Sequence, residues 1–328
     1  MNRMKWILLA ATALTLGSCS SEQADLEGQQ VELRLASSLD LQTRAAYTFT
    51  QNTQIASGET VYAWVDEVGA SEYIHAWQLT ADGSGNFSGD PKNYPMSGRA
   101  IDVYALHGNF TGITPGTTTF PSTLTHTVAT DQSTGSNYES SDLLSASAKN
   151  CARQVEAHNL QFSHLLSKVE VYLVAGTGMT DAELATAQVT ILNTKLSATL
   201  TLSKTAAALV SVAPSGTIDA TTANAIAAKM QSQTDQTVTI EGTAQKAYAF
   251  GEAVIVPQIV SSTGAAGGAA VDFIVVEVGT STYTAQVSGE FVAGKRYIYN
   301  VIVNKSGITL TSTILPWGEG GTQVITAK

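Results

Sequence analysis

Large apolar side chains alternate with small or polar ones along much of this 328-residue chain. One such run lies between residues 31 and 41, and its large apolar members all occupy odd positions: Val31, Leu33, Leu35, Leu39 and Leu41. A period of two places these side chains on one face of an extended strand. The run therefore predicts a long strand with one buried face.

Further runs of the same kind recur from residue 61 to residue 315, with turns rich in Gly, Asn and Asp between them. The pattern predicts a single strand over Gln188–Leu202. Helices are predicted only over Thr180–Ala187 and Thr221–Gln231. Many short strands with few helical periods predict an all-β fold built from packed sheets.

The N-terminus has the layout of a secretory signal, with two basic residues before an apolar run that ends at Leu16. This run is shorter than the roughly 18 apolar residues that a membrane span needs. It leads into Gly17-Ser18-Cys19, which resembles the lipobox of bacterial lipoproteins. The resemblance implies cleavage between Ser18 and Cys19 and a lipid on the Cys19 thiol. We therefore expect a signal peptide over residues 1–18 and a lipid-anchored protein at the outer membrane and cell surface.

Charge and cysteine content limit the partners and the source of stability. Loss of Arg3 and Lys5 with the signal leaves 15 of the 17 basic side chains against 27 acidic ones, a net charge of −12. A chain this acidic is not expected to bind nucleic acid. With Cys19 lipidated, Cys151 has no partner for an intramolecular disulfide. A hydrophobic core must therefore hold the fold together.

No pattern in the sequence indicates catalysis or metal binding. The five histidines lack the close spacing of a metal site, and the nucleophile motif G-x-S-x-G is absent. Ser163 and His164 are neighbours on a predicted strand, so they point to opposite faces. The segment from Asp82 to Asp90 partly matches a calcium loop but lacks its glycine and glutamate, which favours a hairpin tip. We expect no enzymatic activity, no cofactor and no metal.

Several short motifs together resemble the fimbrillin family of pilus subunits and related surface lipoproteins. The residues that carry the resemblance are Thr43-Arg44-Ala45, Asp131-Gln132, Tyr138, Ser141-Asp142-Leu143-Leu144, residues 162–171, residues 294–300, Ile314 and Trp317. The resemblance implies two tandem transthyretin-like β-sandwich domains. We place these at residues 46–158 and 159–328, the second with a donor-strand tail. Residues 19–45 then form the lipid tether and a removable first strand.

The resemblance also implies a mode of assembly. In this family an arginine-specific protease cuts a loop and removes the first strand, and a strand of another subunit fills the vacated groove. Arg44 and Ala45 form the candidate processing site, and the removable strand is the run from Val31 to Leu41. The candidate donor residues lie near the C-terminus: Ile308, Leu310, Ile314 and Val324. We therefore expect a fimbrial structural subunit that mediates adhesion and has other fimbrial subunits as partners.

A monomeric surface lipoprotein that binds glycans is the alternative function. Such proteins bind sugars on exposed aromatic rings, and outside the signal the tryptophans are Trp64, Trp77 and Trp317. Each lies in or beside a predicted strand, which favours packing over contact with a ligand. Ligands on host or bacterial surfaces would be additional partners of an adhesive subunit.

Overall fold

The computed structural model describes residues 29–39, 54–218, 225–240, 242–317 and 323–325. Over these residues the predicted all-β fold is confirmed, with 22 strands (β1–β22) and two short helices. The helices are α1 (Asn137–Ser141) and α2 (Asp181–Leu184). In the described part of the chain, no helix is long and apolar enough to cross a membrane.

The first sheet has seven strands and closes on itself. In spatial order they are β1 (Leu35–Leu39), β8 (His158–His164), β7 (Leu144–Cys151), β5 (Ile101–His107), β2 (Thr60–Glu67), β3 (Glu72–Ala81) and β4 (Phe87–Gly89). The two edges of this sheet also meet around β1 and β4, because the Leu33 N–H donates to the Lys92 carbonyl (2.7 Å) and the Ser37 N–H to the Gly85 carbonyl (2.7 Å), on either side of β4. The seven strands therefore form a ring around one apolar core.

The second large sheet has six strands, which are β14 (Lys229–Ile240), β15 (Thr243–Ile255), β9 (Ser167–Ala175), β20 (Lys295–Asn304), β21 (Gly307–Pro316) and β22 (Gln323–Ile325). A four-stranded sheet packs against it and contains β13 (Ile226–Ala227), β10 (Gln188–Ile191), β17 (Val271–Val278) and β18 (Ser281–Val287). Two small sheets complete the fold: β12 (Val210–Ser215), β11 (Ser197–Leu202) and β6 (Thr123–Thr127) in one, β16 (Gln258–Val260) and β19 (Gly289–Phe291) in the other.

The largest apolar core joins the two halves of the chain. It contains Val171, Ile191 and Phe273 from the six-stranded and four-stranded sheets, and also Trp64 and Leu124 from the N-terminal half. In addition, β6 of the first half pairs with β11 of the second. The halves are therefore packed and hydrogen-bonded to each other.

The predicted boundary between residues 158 and 159 falls inside the ring. β8 begins at His158 and pairs with β1 on one side and β7 on the other. Leu160 and Phe162 of this strand are fully buried in the ring core. The chain passes to the six-stranded sheet only between His164 and Ser167. The division into two tandem domains remains a prediction.

Two local predictions are wrong and one is confirmed. The predicted strand over Gln188–Leu202 is two strands in different sheets, because the chain turns at Asn193, whose φ is 56°. The predicted helix over Thr221–Gln231 is strand at β13 and from Lys229 onward, and its residues 221–224 lie outside the described part. The helix predicted after residue 180 forms as α2, whose capping box joins Thr180 and Glu183.

Gln132, part of the Asp131-Gln132 motif, takes the place of a missing strand. Its side-chain Nε2 donates to the Val254 carbonyl (2.8 Å), and its Oε1 accepts from the Val254 N–H (2.8 Å). β14 begins opposite Glu252 and does not reach Val254. The buried amide of Gln132 therefore satisfies backbone groups that the sheet itself leaves open.

We expect His126 to make the fold sensitive to acid. The side chain is fully buried, and its Nε2 donates to the Ser141 carbonyl (2.9 Å). Burial lowers the pKa of His126 to about 4; the Ser141 bond and the charge of Asp142 raise the pKa and His107 lowers it further. Since the folded pKa lies below the unfolded value of about 6.5, protonation favours unfolding. The stability due to the neutral imidazole is complete above pH 6.5 and is lost as the pH falls to about 4.

We expect this loss to be on the order of 3 kcal/mol. Urea unfolding at several pH values between 7.5 and 4 should show it, and His126→Gln should flatten the profile across that window. His75→Gln is the control, because His75 lies at the surface with 36% of its side chain exposed. Equal acid sensitivity in the parent and in His126→Gln would contradict the assignment.

Candidate functional site

The N-terminal segment fills a groove in the ring. β1 runs parallel to β8, with Leu35 beside His158 and Leu39 beside Phe162. On its other side, the segment of residues 31–39 bonds in antiparallel fashion to residues 85–94. The segment therefore satisfies the backbone groups of two edges at once, and without it the ring would be open.

The alternation in sequence becomes an alternation in burial. Val31, Leu33, Leu35 and Leu39 are 8%, 1%, 5% and 6% exposed, and all four lie in the ring core. Ser37 is also buried, and its hydroxyl has no hydrogen-bond partner among the described residues. At about 1.5–3 kcal/mol each, the four apolar side chains contribute roughly 6–12 kcal/mol as an upper estimate. This is comparable with the stability of a whole domain.

Polar contacts hold the segment at both ends. The buried guanidinium of Arg153 donates to the carbonyls of Gln29 (3.2 Å) and Pro95 (2.5 Å), so it ties the start of the segment to the ring wall. Near the other end, Asn159 Nδ2 donates to Ser38 Oγ (3.0 Å). These bonds fix the register that the apolar side chains select.

A cavity of about 150 Å³ lies at the end of the groove. Its lining includes Leu39 at the end of β1, Gln54 at the start of the next described segment, and Trp317 directly after β21. Residues 40–53, which contain Arg44, connect the first two of these positions. The end of the N-terminal strand and the start of the C-terminal tail therefore meet at one place.

Trp317 is held at this cavity by His164 and by the backbone. The two rings are stacked, with centroids 4.0 Å apart and 9° between their planes. His164 Nδ1 lies 2.7 Å from Asp142 Oδ2, and the Trp317 N–H donates to the Gly294 carbonyl (2.6 Å). Residues from several of the family motifs, which lie far apart in sequence, are therefore in contact around Trp317.

A buried group of charges lies beside the same cavity. Lys168 Nζ is 2.7 Å from Glu252 Oε2 and 3.1 Å from Glu170 Oε1, and Arg296 lies 3.7 Å from Glu170. All four side chains are less than 10% exposed. Burial alone would lower the pKa of Lys168, but the charges of Glu252, Tyr138 and Glu170 together outweigh burial and raise that pKa well above its usual value. The ammonium therefore stays charged and neutralises the carboxylates.

Neither Cys151, in the ring core, nor Tyr138, at the cavity, is activated as a nucleophile. Burial raises the pKa of the Cys151 thiol, and the charge of Asp102 raises it further, so the reactive thiolate is disfavoured. Burial likewise raises the pKa of Tyr138 well above its usual value. In the described part of the chain, no group of three or more His, Cys, Asp or Glu side chains is arranged to hold a metal ion. The arrangement is suited to holding a strand in place.

The three tryptophans outside the signal pack inside the protein. Trp64, Trp77 and Trp317 are all buried. The indole N–H of Trp64 donates to the Thr118 carbonyl (2.8 Å) and that of Trp77 to the Asp90 carbonyl (2.9 Å). None of the three offers an exposed ring to a sugar.

The structure locates only part of the predicted site. The predicted residues outside its described part are Ser18, Cys19, Leu41, Arg44 and Ala45. The candidate donor residues Ile308, Leu310 and Ile314 lie on β21, partly buried against the largest core. Val324 lies on β22, where it pairs with Thr313.

The sequence analysis did not predict which segments form the walls of the groove. The segment from Asp82 to Asp90 was predicted only as a hairpin tip, yet residues 85–94 form one wall. The glycine at position 85 is consistent with a place in this wall, because a Cβ on that residue would lie 3.0 Å from the Ser37 carbonyl oxygen. The contact of Arg153 with the groove segment could not be predicted from the sequence, because the two carbonyl groups that it binds belong to segments distant from it in sequence.

Residues 43–317 match the model of the fimbrillin-like family. The chain belongs to the fimbrillin-like family. The match covers most of the chain, including the segment after the groove strand, β21 and Trp317. The resemblance inferred from short motifs is therefore confirmed. No curated protein sequence is significantly similar to this chain.

Solved structures share the fold of this fimbrillin-like protein. A protein described as a cell adhesion protein from Bacteroides uniformis has a TM-score of 0.56 at 19% identity, over 87% of this chain and 98% of that one. One from Bacteroides ovatus, described in the same way, has a TM-score of 0.56 at 16% identity, over 88% of this chain and 98% of that one. At these identities the likeness shows the fold alone.

Proposed function

We propose that this chain is a structural subunit of a cell-surface fimbria that assembles by strand exchange and mediates adhesion. Membership of the fimbrillin-like family supports a fimbrial or adhesive role. The observation that carries the assembly step is the groove segment of residues 31–39, which closes the ring between β8 and residues 85–94.

Removal of this segment would leave two open strand edges and an exposed apolar core. Unpaired N–H and C=O groups recruit another strand, and the exposed core requires apolar side chains at alternate positions. An apolar strand from a second subunit meets both requirements. In this scheme cleavage follows Arg44, and the C-terminal strands supply the incoming segment.

Before cleavage, the precursor is held at the outer membrane by a lipid on Cys19. The cut after Arg44 separates this lipid from the rest of the chain, so processing releases the subunit from its anchor as it opens the groove. Residues 40–53 contain the processing site, and the residues on either side of them, Leu39 and Gln54, both line the cavity at the end of the groove.

A chain that begins at Ser20 and so lacks the lipid can test this function. Treatment with an arginine-specific protease is expected to remove the first strand and to convert monomers into a ladder of oligomers on size-exclusion chromatography. Mass spectrometry identifies the cut, and Arg44→Ala is the control that should stay monomeric. A product that loses residues 20–44 and remains a folded monomer would refute strand exchange.

A further inference from the structure

Two segments of the chain carry the same side-chain pattern at the same spacing. Along the groove segment the inward positions are large, large, small and large: Leu33, Leu35, Ser37 and Leu39. One face of β21 repeats this order at every second residue: Ile308, Leu310, Ser312 and Ile314. The tail around Val324 does not, because its neighbours at that spacing are Thr322 and Thr326.

The pattern on β21 already fits an apolar core. In its own sheet Ile308 pairs with Val303 and Leu310 with Val301, while the small Ser312 lies opposite the large Tyr299. The apolar members are partly buried against the largest core, and Ser312 is buried. β21 therefore presents one continuous face of the kind that the groove holds.

Ser37 is the small member of the buried face of the groove segment and is 4% exposed. Its N–H donates to the Gly85 carbonyl (2.7 Å), and a Cβ on Gly85 would lie 3.0 Å from the Ser37 carbonyl oxygen, so the two backbones are close together. On the other side Ser37 pairs with the fully buried Leu160. A large side chain at this position would overpack the ring core. The groove thus accepts a small residue here and large ones at the flanking inward positions.

We propose that the groove accepts β21 of a second copy of this chain in a single register, with Ser312 in the place of Ser37. Ile314 then takes the place of Leu39, and Leu310 that of Leu35. A shift by two residues in either direction would drive a large side chain into the Ser37 position. The inference rests on the proposed function and specifies its partner and alignment.

The proposed register also predicts which outward-facing residues of the two copies lie side by side. Ala36 pairs with Asn159 of β8, so in the assembled state Thr311 of the incoming copy lies beside Asn159. Neighbouring strands are about 5 Å apart, which is within the range for a disulfide. A slip of two residues would place the Cα atoms of the two residues about 8 Å apart, which exceeds the Cα–Cα limit of roughly 7 Å for a disulfide.

Cysteine pairs can measure the alignment. The acceptor is Asn159→Cys and the donor Thr311→Cys, both begun at Ser20 and both carrying Cys151→Ala. After the arginine-specific protease has acted on the mixture, mild oxidation is expected to give the Asn159→Cys/Thr311→Cys disulfide as the dominant cross-link. Thr309→Cys and Thr313→Cys are matched donors that should cross-link weakly.

A second measurement avoids any effect on the folding of the donor. A peptide of residues 307–317 should inhibit assembly, and the same peptide with Ser312→Leu should inhibit it roughly tenfold less. Oligomers that cross-link through residue 309 or 313, or that respond equally to both peptides, would overturn the register and leave the proposed function intact. Absence of oligomers after cleavage would instead refute the proposed function.

Discussion

A synthetic peptide of residues 29–41 is expected to bind a chain that begins at Ala45 and to restore it to a stable monomer. The peptide returns four apolar side chains to the ring core, a gain of roughly 6–12 kcal/mol as an upper estimate. It also pairs with β8 and with residues 85–94. After the cost of association, a Kd on the order of 1 µM or tighter is expected. Isothermal titration and thermal unfolding measure the two effects.

Inward and outward positions of the peptide provide the matched control. Leu35 is buried in the ring core, whereas the neighbouring Arg34 has 59% of its side chain exposed. Leu35→Asp should therefore abolish binding, because it buries an unpaired carboxylate. Arg34→Asp should bind almost as well as the parent peptide. Equal binding by both variants would mean that the segment does not act through its buried face.

Lys168→Met is expected to destabilise the protein by roughly 3–5 kcal/mol. Lys168 lies 2.7 Å from Glu252 and 3.1 Å from Glu170, and all three are buried. Loss of the ammonium leaves these carboxylates with only the more distant Arg296 as a cation within 4 Å among the described residues. An uncompensated buried charge costs more than a lost surface ion pair. Chemical unfolding at pH 7 measures the loss.

A double-mutant cycle separates charge from packing. Adding Glu252→Gln to Lys168→Met should recover part of the lost stability, because it removes one of the uncompensated carboxylates. Lys149→Met is the surface control, since Lys149 is 46% exposed and 3.2 Å from Asp102; it should cost about 1 kcal/mol or less. If Lys168→Met cost no more than Lys149→Met, the buried charges would not stabilise the fold.

Local patterns in the sequence determined much of the fold class and of the candidate site. A period of two depends only on the alternation of side chains along an extended chain, so Val31, Leu33, Leu35 and Leu39 could be assigned to one buried face without any knowledge of their neighbours. The capping box of Thr180 and Glu183 is equally local, and α2 forms where it was predicted. Short motifs were enough to identify the family.

Only the tertiary structure decided which strands meet. β8 pairs with β1 and β7 in the ring, and residues 85–94 form a groove wall, because strand pairing depends on contacts between distant segments. The predicted helix over Thr221–Gln231 failed because strand pairing with β15 and β10 overrides a weak local preference. Lys168 and Glu252 meet only because β9 and β15 are neighbours. The sequence determined which faces must be buried, and long-range pairing decided what buries them.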